Sequence, residues 1–192
     1  MTLKKMGVKP WILPMPVLMV ATYGEKGAVN VMNVGWGGVY GDEKIVLDLA
    51  PNRKTLKNMR LTKAFTVSLA DRAHMSEADF FGIVSGNADE EKFSRTTLTA
   101  VKSETVNAPV IVDFPVTLEC EVEEIIEETE DVHVIGRIRN TLVDEKVLGE
   151  DGTVDPTKLN VLIYDTFKSG YHVLGERVGT AFSEGKAFLK KN

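Results

Sequence analysis

Asn30-Val-Met-Asn-Val-Gly-Trp-Gly-Gly-Val-Tyr40 begins as a strand and dissolves into bare backbone. Gly35, Gly37 and Gly38 surround one large aromatic, Trp36. Strand interiors avoid glycine, which weakens them and packs nothing; where it does occur it marks a bulge or a close approach by a ligand or another backbone. Downstream, Ala50-Pro-Asn-Arg-Lys-Thr55 is a polar loop opening a helical pattern. Together the two stretches suggest a flat ligand lying on exposed main chain, with an anionic tail in the second loop.

Outward from this segment the pattern is mostly β. The apolar run Pro16–Tyr23, the turn Gly24-Glu-Lys-Gly27 and the run Ala28–Val34 read as a hairpin. Lys44–Leu49 and Ala64–Leu69 read as further strands, with a short helix over Arg53–Leu61 carrying Leu56, Met59 and Arg60 at helical spacing. A second helix is expected over His74–Phe81, with Ser76 as cap, Ala78, Phe80 and Phe81 inward, and Gly82 at its end. Ser85-Gly86-Asn87 is a turn, Asp89–Phe93 one more helical turn, and Ser94–Asp113 irregular. Val116–Glu127 alternates, with Val116, Leu118, Cys120 and Val122 inward against an acidic outer face, and Val132–Val143 should pair with it. Leu159–Tyr164 reads as a last strand, and Gly175–Phe188 as a loop with a weak terminal helix. Many short strands and few helices predict a small antiparallel barrel rather than βαβ units.

The chain has 192 residues, 43% of them apolar, and a net charge of -5. This predicts residues 1–192 as a single domain with N- and C-terminal extensions and a core of ordinary size. No basic run is long enough for nucleic acid. The apolar stretch near the N-terminus is short and interrupted by Pro10, Pro14 and Pro16, so neither a signal peptide nor a membrane span is expected. Cys120 is the only cysteine, which excludes an intrachain disulfide and a cysteine-rich metal cluster and fits a reducing cytoplasm. No His/Asp/Glu spacing is that of a metal site.

In order and spacing, several motifs resemble the flavin reductase-like family of FMN-binding split barrels, on its flavoredoxin branch. They are Pro16-Val17, Asn30–Gly38, Arg53-Lys-Thr55 with Asn58, Ala78–Gly86 with Lys92-Phe93, Pro115–Cys120 and the tail Tyr171–Phe182. The resemblance implies a mainly β fold: a six-stranded antiparallel Greek-key split β-barrel with a few short helices. It also implies a homodimer with FMN at the subunit interface, and a protein that either reduces flavin with NADH or NADPH or carries electrons on bound flavin to a redox protein partner.

By this resemblance Asn33, Val34, Gly35 and Trp36 run under the isoalloxazine ring, whose polar edge backbone N–H and C=O groups can satisfy. Taken alone, the same residues read equally as a glycine-marked bulge with Trp36 filling the core. Asn52, Arg53, Lys54 and Thr55 resemble the phosphate loop: a helix N-terminus offers unpaired N–H groups, and Arg53 a bidentate partner. Relatives often place a hydroxyl residue or an aromatic where this chain has Arg53 and Lys54; the plain alternative is a helix start with solvated charges. Ser85, Gly86 and Lys92 match a turn that reaches the ribityl–phosphate side in relatives, and otherwise read as an ordinary turn and a surface lysine.

No catalytic side chain is expected, because the chemistry belongs to FMN. Many nicotinamide-using relatives carry a histidine where this chain has Asp131. His133 lies on the same strand face, about 6–7 Å away. Cys120 reads as a small core residue. Three functions follow: a nicotinamide-dependent flavin oxidoreductase, an electron carrier that does not oxidise NAD(P)H, or a barrel that binds something else.

Overall fold

Pro16–Ala21 is apolar throughout because it is covered on both sides. In the computed structural model, which describes residues 1–189, it runs from β1 (Met15–Pro16) into β2 (Leu18–Tyr23). Leu18 and Val20 point into a cluster with Leu47, Phe65, Val67 and Val134, while Val17, Met19 and Ala21 meet Ala78, Phe81 and Phe114 on the other face. A strand buried on two faces carries a continuous apolar run rather than an alternating one.

β3 (Val29–Val34) folds back on β2, and β4 (Gly37–Val39) continues the same segment to pair with β5 (Lys44–Leu49). The chain then passes through α1 (Lys54–Thr62), β6 (Ala64–Leu69), α2 (Met75–Ile83) and the small hairpin β7 (Ala100–Lys102) and β8 (Pro109–Ile111). The long hairpin β9 (Val116–Glu127) and β10 (Val132–Val143) follows, then α3 (Pro156–Leu159), β11 (Leu162–Asp165) and β12 (Gly170–Val173). β1, β11 and β12 form their own three-stranded sheet.

The main sheet is antiparallel, in the order β3-β2-β6-β9-β10-β5-β4. Its two edge strands are halves of one segment, so the sheet curls until residues 29–39 touch both ends. The ladder has seven strands; counted by chain segment, with β3 and β4 as one, it is the six-stranded split barrel expected from the sequence. The division falls at Gly35-Trp36, where the Asp48 N–H still donates to the Trp36 carbonyl at 2.9 Å. Gly37 is bare for packing, since a Cβ there would lie 2.9 Å from Leu47 Cδ2 and 3.0 Å from Leu18 Cδ1.

α1 inserts Leu56 and Met59 into the barrel interior. Arg60 is instead exposed and pairs with Glu127 at 2.5 Å. In the same cluster, the Phe65 ring fills the space above Gly136, whose Cβ would lie 2.3 Å from Phe65 Cζ. The β9–β10 register shifts there, between Ile135 and Gly136.

Several local expectations need correction. Glu119, placed on an acidic outer face, is 1% exposed. The segment after β7 folds over it, and its carboxylate accepts from Ser103 Oγ (2.5 Å), Thr105 Oγ1 (2.9 Å) and Asn140 Nδ2 (2.6 Å). The Ser94–Asp113 stretch is thus not wholly irregular. α2 runs through Gly82 to Ile83; His74 holds its N-cap position while Ser76 lies within the helix, and Asp71 caps the turn before it by accepting the His74 N–H at 3.0 Å. The turn expected at Asp89–Phe93 is a 3-10 turn at Lys92–Arg95. The strand expected at Leu159–Tyr164 is Leu162–Asp165, after a left-handed Asn160 (φ 47°) ends α3. Cys120 is buried in the barrel cluster, and burial first, then Glu119, pushes its thiol up to about 12. Among the described residues no helix is long and apolar enough to cross a membrane.

Candidate functional site

The start of α1 is open. Arg53 is its N-cap residue, extended at ψ 136°, and no side chain caps the first turn. Unpaired N–H groups and the positive end of the helix dipole therefore face outward. The Arg53 guanidinium makes no hydrogen bond or ion pair among the described residues.

The facing wall is the Ser85-Gly86 turn after α2. Gly86 is pressed so close to Asn30 that a Cβ would lie 2.2 Å from Asn30 Oδ1. Asn30 Nδ2 also donates to Thr55 Oγ1 at 3.0 Å. One buried asparagine therefore bonds the helix start and packs against the turn, and Asn58 Nδ2 donates to Thr22 Oγ1 at 3.0 Å beside it.

Lys92 closes the back. It is 2% exposed, and its Nζ donates to the Val84 carbonyl at 2.8 Å near the end of α2. Burial lowers its pKa to about 8; Asp89 opposes that shift and Arg53 adds to it. Arg53, Lys54, Thr55, Ser85, Gly86 and Lys92 line one hollow of about 70 Å3 without a carboxylate among its bordering residues. Lys54 turns its amine to Glu90 at 2.6 Å.

Asn33, Arg53 and Gly82 also border a larger cleft of about 450 Å3, completed by Pro16, Val17, Gly35, Trp36, Tyr164 and Tyr171. A Cβ on Gly35 would meet nothing within 4 Å, so the main chain is bare on this side. Trp36 is 43% exposed and is therefore not core filler. Asn33 Nδ2 donates to the Ala78 carbonyl at 3.1 Å, which ties the cleft floor to α2. The Tyr171 hydroxyl donates to Asp79 at 2.9 Å, and burial together with that carboxylate raises its pKa to about 12.

Two residues named from the sequence lie apart. The Val34 side chain is in the barrel core. Asn52 is exposed and borders neither hollow, although its carbonyl accepts from Asn87 Nδ2 at 2.7 Å. Asn30, Gly82, Tyr164 and Tyr171 were not singled out as site residues. For Asn30, Gly82 and Tyr171 the signal lay in the motif stretches themselves, Asn30 and Tyr171 heading two of them, whereas Tyr164 lies outside every motif. His133 sits opposite Asp48 on β5, with Nδ1 3.7 Å from Asp48 and Nε2 3.5 Å from Glu128. Burial first, then Asp131, raises the Asp48 carboxyl, while His133 acts the other way.

Fold and cleft together define a split-barrel protein whose closing segment floors an open cleft that narrows into a cationic hollow. The chain belongs to the family described as flavin reductase like domain, matched over residues 12–172. The flavoredoxin of Desulfovibrio vulgaris (Miyazaki F) is 32% identical with a TM-score of 0.91, over 96% of this chain and 100% of that one. A flavoredoxin from Methanosarcina acetivorans is 24% identical with a TM-score of 0.87, over 97% and 100%. An FMN-binding protein from Thermus thermophilus shares the fold at 19% identity and a TM-score of 0.74, over 94% and 99%.

Proposed function

We propose that this chain binds FMN and transfers electrons through it, as an oxidoreductase of the flavin reductase or flavoredoxin type. The observation that carries this reading is the junction of two features: a cleft floored by bare main chain at Gly35, and a hollow where Arg53 and Lys92 lie near each other without a bordering carboxylate. Two like charges held close at a helix start favour a polyanion between them. Arg53, Lys92 and the first-turn N–H groups of α1 would hold the phosphate. Asn33 to Trp36 would offer backbone groups to the polar edge of the ring. FMN, when bound, supplies hydride acceptance and single-electron transfer. The chain's own part is to fix the ring and to leave one side open beside Trp36, Tyr164 and Tyr171.

The purified protein should be yellow, or should become so on adding FMN. Gly35→Val provides the sharper test. Its side chain enters open space, so unfolding stability should stay within about 0.5 kcal/mol. FMN affinity should nevertheless fall at least about tenfold, because the added methyl groups occupy the ring's approach. Unchanged affinity in titration calorimetry would remove the ring from this cleft.

A second reading, an electron carrier serving a redox protein partner, is favoured by Asp131 and by the engagement of His133 with Asp48 and Glu128. Anaerobic mixing with NADH or NADPH separates the two: bleaching of bound flavin marks the reductase, a lasting yellow colour the carrier. We also read the protein as a cytoplasmic homodimer, one domain with two extensions. Beyond β12 the chain leaves Val178, Phe182 and Phe188 at 92%, 99% and 91% exposure, apolar surface that a second copy would cover. Light scattering should then give twice the 21.2 kDa chain mass.

A further inference from the structure

The hollow beside Arg53 does not end at Gly86. Asn30, Lys54 and Gly86 border it and also a second hollow of about 100 Å3, which opens toward the turn between β2 and β3. The charge changes at this boundary. The first hollow holds Arg53 and Lys92 and no carboxylate; the second holds Glu25 and Glu90, with Lys26 as its added cation. Glu90 Oε1 accepts from Lys54 Nζ at 2.6 Å. That bond first, and the charges of Lys54 and Lys26 after it, hold the Glu90 carboxyl below the usual carboxylate range. Glu90 is therefore ionised at neutral pH, and the Lys54 charge is already engaged.

On the FMN reading, a ligand with one terminal phosphate would end inside the cationic hollow. A flavin dinucleotide joins a second phosphate directly to the first; carried onward from the first hollow into the second, that phosphate would cross the boundary where Glu90 stands. There it would meet the Glu90 carboxylate and compete with it for Lys54. Discrimination of this kind comes from a repulsive element placed against the competitor rather than from an added contact with the preferred ligand.

We propose that Glu90, fixed by Lys54 at the outlet of the phosphate hollow, is a specificity-determining residue that makes the site select flavin mononucleotide over flavin dinucleotide. This rests on the FMN reading given above. Because Glu90 is exposed, its effect is moderate and weakens with salt.

The test is calorimetric titration of riboflavin, FMN and FAD into wild type, Glu90→Gln and Glu90→Lys, each at low and at high salt. Wild type should prefer FMN to FAD. In Glu90→Gln that preference should shrink by about three- to fivefold, and further in Glu90→Lys. The differences between variants should narrow at high salt, and riboflavin affinity should be the same in all three proteins. Equal wild-type affinity for FMN and FAD, or a ratio that does not follow the charge at position 90, overturns the role of Glu90 while leaving FMN binding intact. If wild type binds none of the three flavins, the FMN reading itself fails and this inference with it.

Discussion

Replacing Arg53 with Ala, or Lys92 with Met, is expected to weaken FMN binding by about ten- to a hundredfold each, and riboflavin binding hardly at all. Hydrogen bonds to charged groups contribute about 1.5–3 kcal/mol, which sets that range. Lys92 adds a pH signature. Its folded pKa of about 8 lies below the ordinary lysine value of about 10.4. Below about pH 8 the amine is charged in both the folded and the unfolded chain, and the folded chain bears the full cost of a buried charge. As pH rises from about 8 to about 10.4 that cost is relieved. Ligand-free wild type should therefore gain stability relative to Lys92→Met over this window, by at most about 3 kcal/mol. Phosphate has the opposite preference and holds the amine protonated, so FMN affinity should fall as pH rises above about 8. Urea unfolding at pH 7 and pH 9.5, alongside FMN and riboflavin titrations at the same pH values, reads both effects. A phosphate-dependent affinity that is flat across the window would take Lys92 out of the site.

Phe65→Ala should cost about 3–5 kcal/mol in urea unfolding. The ring is fully buried in the barrel cluster, and it presses closest on Gly136, with Cys120 beside it. Its loss opens a cavity that the glycine opposite cannot fill. Since a typical domain is stable by 5–15 kcal/mol, this one contact decides a large share of the total. A cost under about 1 kcal/mol would mean that the barrel collapses readily at this layer.

The strands were legible wherever burial left a local pattern. Val132–Val143 and the hairpin around Gly24–Gly27 follow from alternation and turn residues alone. The two-sided cover of Pro16–Ala21 was visible as a run but not as a cause. Glu119 was misread because its partners Ser103, Thr105 and Asn140 come from other strands and loops, and alternation within β9 carries no trace of them. Gly82 reads from the sequence as a helix end, yet it stays in α2 and faces Asn33, with a Cβ position 3.6 Å from the Asn33 Cβ. Of the residues that motif order assigns to a phosphate, Arg53, Lys54, Thr55, Ser85, Gly86 and Lys92 line one hollow and Asn52 does not. Only the fold could bring Tyr171 beside Gly35 and Trp36, since they lie far apart in the chain.

The segment 29–39 closes the barrel with both of its ends and floors the cleft at its middle, with only Gly35 and Trp36 between the two ladders. Val34 and the Cβ direction of Gly37 both face the barrel interior although three residues apart, so Gly35 and Trp36 interrupt the period of two, and one residue added or removed there would turn either Val34 or Gly37 to the wrong side of the wall. Length drift is therefore barred at this seam, whereas the exposed bend between β9 and β10 is free to grow or shorten. Variation among descendants of this chain should accumulate at that bend and leave the seam's spacing untouched.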